Sequence, residues 1–187
     1  MRKVILFNLI TLDGYFEGSH KWEIDWHRVD NEFDEFSIEQ LNLASGIIFG
    51  RVTYEGMASF WSSPKAIETD PVVAAKMNSL PKFVFSKTMG KAEWNNSQVI
   101  NGDAVQELKK LKEQPGGDLL IFGSANLAST FIRYKMIDEY RLLVNPILLG
   151  RGSAMFMEND ERLNLKLLNV RVFHNGNVLL NYAPDGE

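Results

Sequence analysis

The feature that most constrains this chain is a recurrent short apolar run that ends at a glycine or small polar residue. The runs are KVILFNLI (residues 3–10), GIIFG (46–50), KFVFS (82–86) and DLLIFG (118–123). Such runs, rich in Val, Ile, Leu and Phe, read as buried strands. SQVI (97–100) reads as a further strand. Helical patterns lie between several of them. Residues 31–44 place Phe33, Phe36, Leu41 and Ala44 on one stripe, and a helix begins within RVTYEGMASF. Residues 71–77 also read as helical. Asp103, three residues before Gln106, caps a helix carrying Ala104, Leu108 and Leu111, which Pro-Gly-Gly closes. SANLASTFIRY leaves the fourth run as a helix. The last third changes character: EYRLLVNPILLG (139–150), LKLLNVRVF (165–173) and VLLNY (178–182) follow one another without helices, the last two joined by the hairpin signal HNGN. The expectation is one α/β domain over residues 1–187, with a central, mostly parallel sheet, antiparallel C-terminal strands and flanking helices.

Composition narrows the partners. Hydrophobic residues make up 45% and charged residues 24%, which is a globular balance. A net charge of -4 gives no basic face for nucleic acid, so any anion site must be local. There is no Cys, which excludes disulfides, thiolate nucleophiles and Cys-based zinc sites and fits a cytoplasmic location. The opening MRKVILFNLI reads as a first strand and not a signal peptide, because Asn8 interrupts it and no small-residue cleavage pattern follows. No run reaches the roughly 18 apolar residues that a membrane span needs.

The strand-to-helix junctions carry the candidate chemistry. In FGRVTYEGM, Gly50 permits a tight turn and puts Arg51 and Thr53 near a helix N-terminus. Free N–H groups and the positive dipole end attract anions there, and a guanidinium matches a phosphate bidentately. The alternative is local: Thr53 caps the helix and Arg51 pairs with Glu55, against which stand Gly56 at the capping-box position and the less favourable order of that pair. At the second junction Gly123 is followed by Ser124, Ala125 and Asn126, small enough for a ligand to approach the backbone, or simply a tight turn. At the third, Ser86 and Lys87 follow a strand. Asp13 between strand and Gly14 is a functional carboxylate or a turn residue. His20, Glu23, Asp25 and His27 match no metal-ligand spacing, so no metal is expected. Trp22, Trp26 and Trp61 could stack on a flat ring or pack into the core.

TLDGYFEG, FGRVTYEGM, FVFSKTM, IFGSANLASTFI and NPILLGRGSAMF occur in this order over nearly the whole chain. Together they resemble the dihydrofolate-reductase-like superfamily, closest to the reductase domain of the bifunctional riboflavin-biosynthesis deaminase-reductase. The resemblance implies a single domain with a roughly eight-stranded sheet, NADPH as cofactor, hydride transfer to a C=N or C=O of a small heterocycle, and a homodimer. It assigns Gly50, Arg51 and Thr53 to the adenosine-side phosphates, and Ser86 and Lys87 to the adenosine end. Gly123, Ser124, Ala125, Asn126 and Leu127 fall under the pyrophosphate, and Thr11 beside the nicotinamide. Gly14, Tyr54 and Trp61 would meet the substrate, with Asp13 or Glu32 supplying a proton. Tyr15 stands where riboflavin-type reductases often carry Arg, and Phe7 and Asn8 stand where they often carry Lys. Substrate choice is therefore open between a phosphoribosylamino-pyrimidine, a folate and a small carbonyl. A non-catalytic NADP-binding regulator is the rival from another class.

Overall fold

A computed structural model describes residues 1–157 and 161–186. In chain order the elements are β1 (Val4–Thr11), β2 (Tyr15–Glu17), α1 (Asn31–Leu43), β3 (Ala44–Gly50), α2 (Arg51–Trp61), α3 (Pro64–Thr69), α4 (Pro71–Ser79), β4 (Lys82–Phe85) and β5 (Ser97–Ile100). There follow α5 (Ala104–Glu113), β6 (Asp118–Phe122), α6 (Ala125–Arg133), β7 (Glu139–Asn145), β8 (Ser153–Ala154), β9 (Leu165–Val172) and β10 (Val178–Pro184).

Eight strands form one sheet in the order β5-β4-β3-β6-β1-β7-β10-β9. The first six run parallel, and β10 is antiparallel to both β7 and β9. The central strands are apolar on both faces because helices cover both. On one face Val4, Leu6 and Ile10 pack with Val105, Leu108 and Leu111 of α5 and Ala128 and Phe131 of α6. On the other, Ile5 and Phe7 pack with Phe36 and Leu41 of α1, Tyr54 of α2, and Val73 and Met77 of α4. Each fully buried Leu or Ile on these layers contributes about 1.5–3 kcal/mol of transfer free energy. The fold is the one expected, with three local differences. NPILLG does not continue β7, since Pro146 has no N–H for the ladder and the chain turns so that Leu12 N–H donates to Ile147 O at 2.9 Å. The glycine-rich segment after β1 contains β2, which pairs with β8 far along the chain. An additional short helix, α3, precedes α4.

Lys82 is fully buried at the start of β4, yet its ammonium is not idle. It donates to Met77 O at 2.7 Å, Asn78 O at 3.3 Å and Leu80 O at 2.7 Å, the carbonyls left over where α4 ends. It also lies 4.4 Å from the centre of the Trp94 ring. Burial pushes it down to about 8.

Candidate functional site

Strand order gathers junctions that are far apart in sequence. Gly50 pairs with Phe85, Ile48 with Ile121 and Phe7 with Phe122. The carboxyl ends of β4, β3 and β6 therefore lie side by side, two interstrand spacings or about 10 Å across, while β1 runs on beyond Phe7 to Thr11. Ser86, Arg51 and Ser124 leave from that one edge.

The helices starting there differ from the rest in their first turns. Asp30 caps α1 by accepting from Phe33 N–H, Ser63 caps α3 from Ala66, Asp70 caps α4 from Val73, and Asp103 caps α5 from Gln106. Only α2 and α6, among the described helices, have no side-chain cap. Their ends are instead clasped to each other. Ser124 N–H donates to Thr53 Oγ1 at 3.0 Å, Gly50 N–H donates to Ser124 Oγ at 2.9 Å, and Ser124 Oγ–H donates to Phe122 O at 3.0 Å. Gly123 has φ +55°, and a Cβ there would sit 2.9 Å from Thr53 Cγ2, so glycine is required for this approach. Ala125 is buried, Leu127 partly so, and Asn126 is exposed. The first-turn N–H groups of both helices thus point to one edge without a side-chain acceptor, which is an anion-binding arrangement.

The cap of α2 is Gly50, so Thr53 lies inside the helix and does not cap it. Arg51 is exposed and pairs with Glu55 at 2.9 Å, a pair weak enough to exchange for a stronger anion. Ser86 Oγ accepts from Thr88 and Met89 N–H, closing the turn after β4, and Lys87 is exposed beside it.

Several expected contacts are taken by the fold. Thr11 is fully buried; its hydroxyl donates to Asp13 Oδ1 at 2.6 Å and accepts from Tyr15 N–H at 2.9 Å, so the side chain braces the loop. Tyr54 is buried in the core, and its hydroxyl accepts from Trp94 N–H at 2.9 Å. Trp61 is partly buried against the same core. Gly14, with φ +86°, faces open space.

The two expected proton donors are both held as carboxylates. Asp13 accepts from Thr11, from Gly150 N–H at 2.8 Å and from Leu149 N–H at 3.3 Å, which holds its carboxyl below the usual range, the Thr11 bond most of all. Glu32 accepts from His174 N–H and meets His174 Nδ1, both at 2.9 Å, with Arg171 beside it at 3.4 Å; it too is lowered, chiefly by the His174 backbone bond. One turn into α1, Asp34 behaves oppositely. Partial burial, then the charges of Asp70 and Asp30, push its carboxyl up. Sequence could not single it out, because Asp70 reaches it only through the packing of α4 on α1.

The segment between β2 and α1 bridges back to α2. Trp22 has φ +66°, and its indole lies so close on Gly56 that a Cβ there would fall inside the ring. The turn beneath is held by Gly18 N–H to Glu23 O, Trp22 N–H to Glu17 Oε1 and Trp26 Nε1–H to Glu23 O. Arg28 N–H donates to Asn145 Oδ1 at 2.9 Å, which sets the start of α1 beside the ends of β7 and β1. A glycine in mid-helix was the sequence signal for this contact.

The mostly parallel sheet with antiparallel C-terminal strands has the dihydrofolate-reductase-like fold. Dihydrofolate reductase from Enterococcus faecalis, complexed with NADP(H), superposes with a TM-score of 0.66 at 14% identity, covering 98% of this chain and 97% of that one. The chain belongs to the RibD C-terminal domain family, which it matches over residues 2–179. It is 34% identical over 187 residues to the uncharacterized protein YyaP of Bacillus subtilis (strain 168), covering 99% of this chain and 96% of that one. A diaminohydroxyphosphoribosylaminopyrimidine deaminase/5-amino-6-(5-phosphoribosylamino)uracil reductase of Thermotoga maritima superposes with a TM-score of 0.70 at 18% identity. That match covers 98% of this chain and 57% of the larger enzyme.

Proposed function

We propose that this protein is a cytoplasmic NADPH-dependent reductase acting on a C=N or C=O of a small heterocycle. The observation that carries the reading is the pair of uncapped, clasped helix ends at the β3–β6 edge. A dinucleotide brings several phosphate charges to be shared between two such ends, and Arg51 stands at the outer one. Bound NADPH supplies a hydride. The chain's own part is to hold the phosphates on α2 and α6 and to hold a proton. Asp13 and Glu32, the carboxylates expected from the sequence, have their carboxyls held down by their hydrogen bonds, while partial burial pushes Asp34 up, and it joins them as a candidate for that last task. The names of the Thermotoga and Enterococcus neighbours support the class of reaction. The same ionised state of Asp13 and Glu32 is the observation that favours the rival reading, a NADP-binding regulator without turnover. Titrating NADPH and NADH into wild type and Arg51→Ala by fluorescence decides the cofactor. NADPH affinity should fall about ten- to a hundredfold with loss of a bidentate phosphate contact while NADH changes little. Unchanged NADPH affinity in Arg51→Ala sinks the placement.

We also propose a homodimer. Leu168, Val170 and Val172 of the edge strand β9 are all about half-exposed, with Phe156 and Met157 also uncovered. A long apolar edge strand is a pairing surface. Val170→Lys should turn a dimer into a monomer in light-scattering chromatography, and a wild-type monomer at micromolar concentration refutes the proposal.

A further inference from the structure

The sheet face under α5 and α6 holds a hydroxyl that the fold does not answer. Tyr140 of β7 is 1% exposed and belongs to the core on that face, yet its hydroxyl has no hydrogen-bond partner among the described residues. Burial first, then the charge of Asp138, pushes the phenol up to about 12, so it is a neutral donor at any working pH. A buried donor without an acceptor carries the full cost of leaving water, and folded chains keep few of them.

The same side chain lines a cavity of about 280 Å³. Helix α6 contributes Ser129 and Ile132, and Leu163 and Leu165 come from the approach to β9 and its first residue. Phe156 and Met157, each nearly half exposed, lie on the open side, so Tyr140 belongs to the deep end. Polar side chains are scarce there. The Ser129 hydroxyl already donates to Asn126 O at 2.8 Å, and Glu161 is exposed at the rim, 3.7 Å from Lys135. A water beside Tyr140 would find among these side chains fewer than the roughly three partners that a buried water takes. An apolar molecule with one acceptor suits both the lining and the orphan donor. The volume is nearly twice the roughly 150 Å³ in which an engineered apolar cavity takes benzene, which is room for two fused rings. A charge inside would lose its water with no counter-charge beside it.

We propose that this cavity is a second ligand site, taking a small uncharged molecule with an apolar body and one hydrogen-bond acceptor, to which Tyr140 donates. It is separate from the cofactor edge. The sheet divides it from α1 and α2, and Ser129 and Ile132 lie about 6 and 10.5 Å along α6 from Ala125, its first residue. The assignment does not depend on the reductase reading.

Isochroman and tetralin test it, two fused-ring molecules of one shape in which an ether oxygen replaces a methylene. Neither has a C=N or C=O, so neither probes the reductase chemistry. With methyl-labelled methionine, NMR titration should show both molecules shifting the Met157 signal. Isochroman should bind about three- to tenfold more tightly, the range for one neutral hydrogen bond. Tyr140→Phe should bring isochroman to the affinity of tetralin and leave tetralin unchanged, while Ile132→Trp should fill the cavity and abolish both. Because the lost donor has no partner in the fold, Tyr140→Phe should resist urea at least as well as wild type. A less stable Tyr140→Phe overturns the proposal, as does an isochroman preference that survives in it. So does a wild type that takes neither molecule at its solubility limit, or takes them without moving Met157. Phe156 and Met157 also belong to the apolar surface assigned to the homodimer, so the titration is repeated on Val170→Lys. Equal affinity there is the expected result; binding by that variant alone would give the cavity to the partner subunit and overturn the ligand site.

Discussion

Replacing Lys82 with Met makes the sharpest quantitative test of how this sheet is built. The ammonium is fully buried and bonded to three carbonyls at the end of α4. It titrates at about 8 in the folded chain against 10.5 for an ordinary lysine. Between those values the unfolded chain holds a proton that the folded chain has released, so stability rises with pH across the window. Integrating the two values gives about 2 kcal/mol of additional stability at pH 9.5 relative to pH 7. Below pH 8 both states are charged, and the cost of burying the ammonium is present in full. Lys82→Met keeps the bulk of the stem and removes the titration, so its stability lacks this rise. It should also be about 1–3 kcal/mol less stable at pH 9.5, because the two N–H bonds that the neutral amine can make to these carbonyls are lost. Urea unfolding of both proteins at half-unit pH steps measures the double difference, in which other titrating groups cancel. Parallel curves for the two proteins would mean that the carbonyls offset the burial entirely, and the argument from desolvation would be refuted.

Two further outcomes follow from the site. Thr53→Val keeps the shape of the side chain but leaves Ser124 N–H without its acceptor; it should cost about 1–3 kcal/mol in urea unfolding and weaken NADPH binding, since both helix ends lose their clasp. Asp34→Asn should stabilise the protein at pH 7 by about 0.2–1 kcal/mol by removing a charge beside Asp30 and Asp70. The folded carboxyl is raised, so the folded state binds the extra proton as pH falls; the gain from Asn should vanish below the ordinary value of 3.8, and a gain that persists in acid refutes the charge argument.

Where the chain signals locally, its structure was legible. Asp103 with Gln106 predicted the cap of α5, and HNGN predicted the turn in which Gly176 has φ +90°. The strand-end motifs were legible as anion sites and the family resemblance set them along one cofactor, but local sequence alone does not bring them together, because that depends on β6 inserting between β3 and β1. The hydroxyls of Thr11 and Tyr54 are engaged within the fold for a related reason. Their hydroxyls suit a ligand until Asp13, Tyr15 and Trp94 take them, and Trp94 is brought in only by the packing of the β4–β5 connection. Asp34 and the seat of Trp22 were hidden in the same way, since the partner that gives each its meaning sits on another helix.

The clasp between α2 and α6 has a consequence for how this protein behaves in a test tube. Two partially positive helix ends are held side by side by Thr53, Ser124 and Gly50, so in pure water they push against each other and the hydroxyl bonds resist that push. Any small multivalent anion relieves it, whether or not it belongs to a cofactor. The unfolding temperature of the unliganded chain is therefore a property of the buffer as much as of the fold: phosphate and sulfate will raise it where a zwitterionic buffer of equal ionic strength will not.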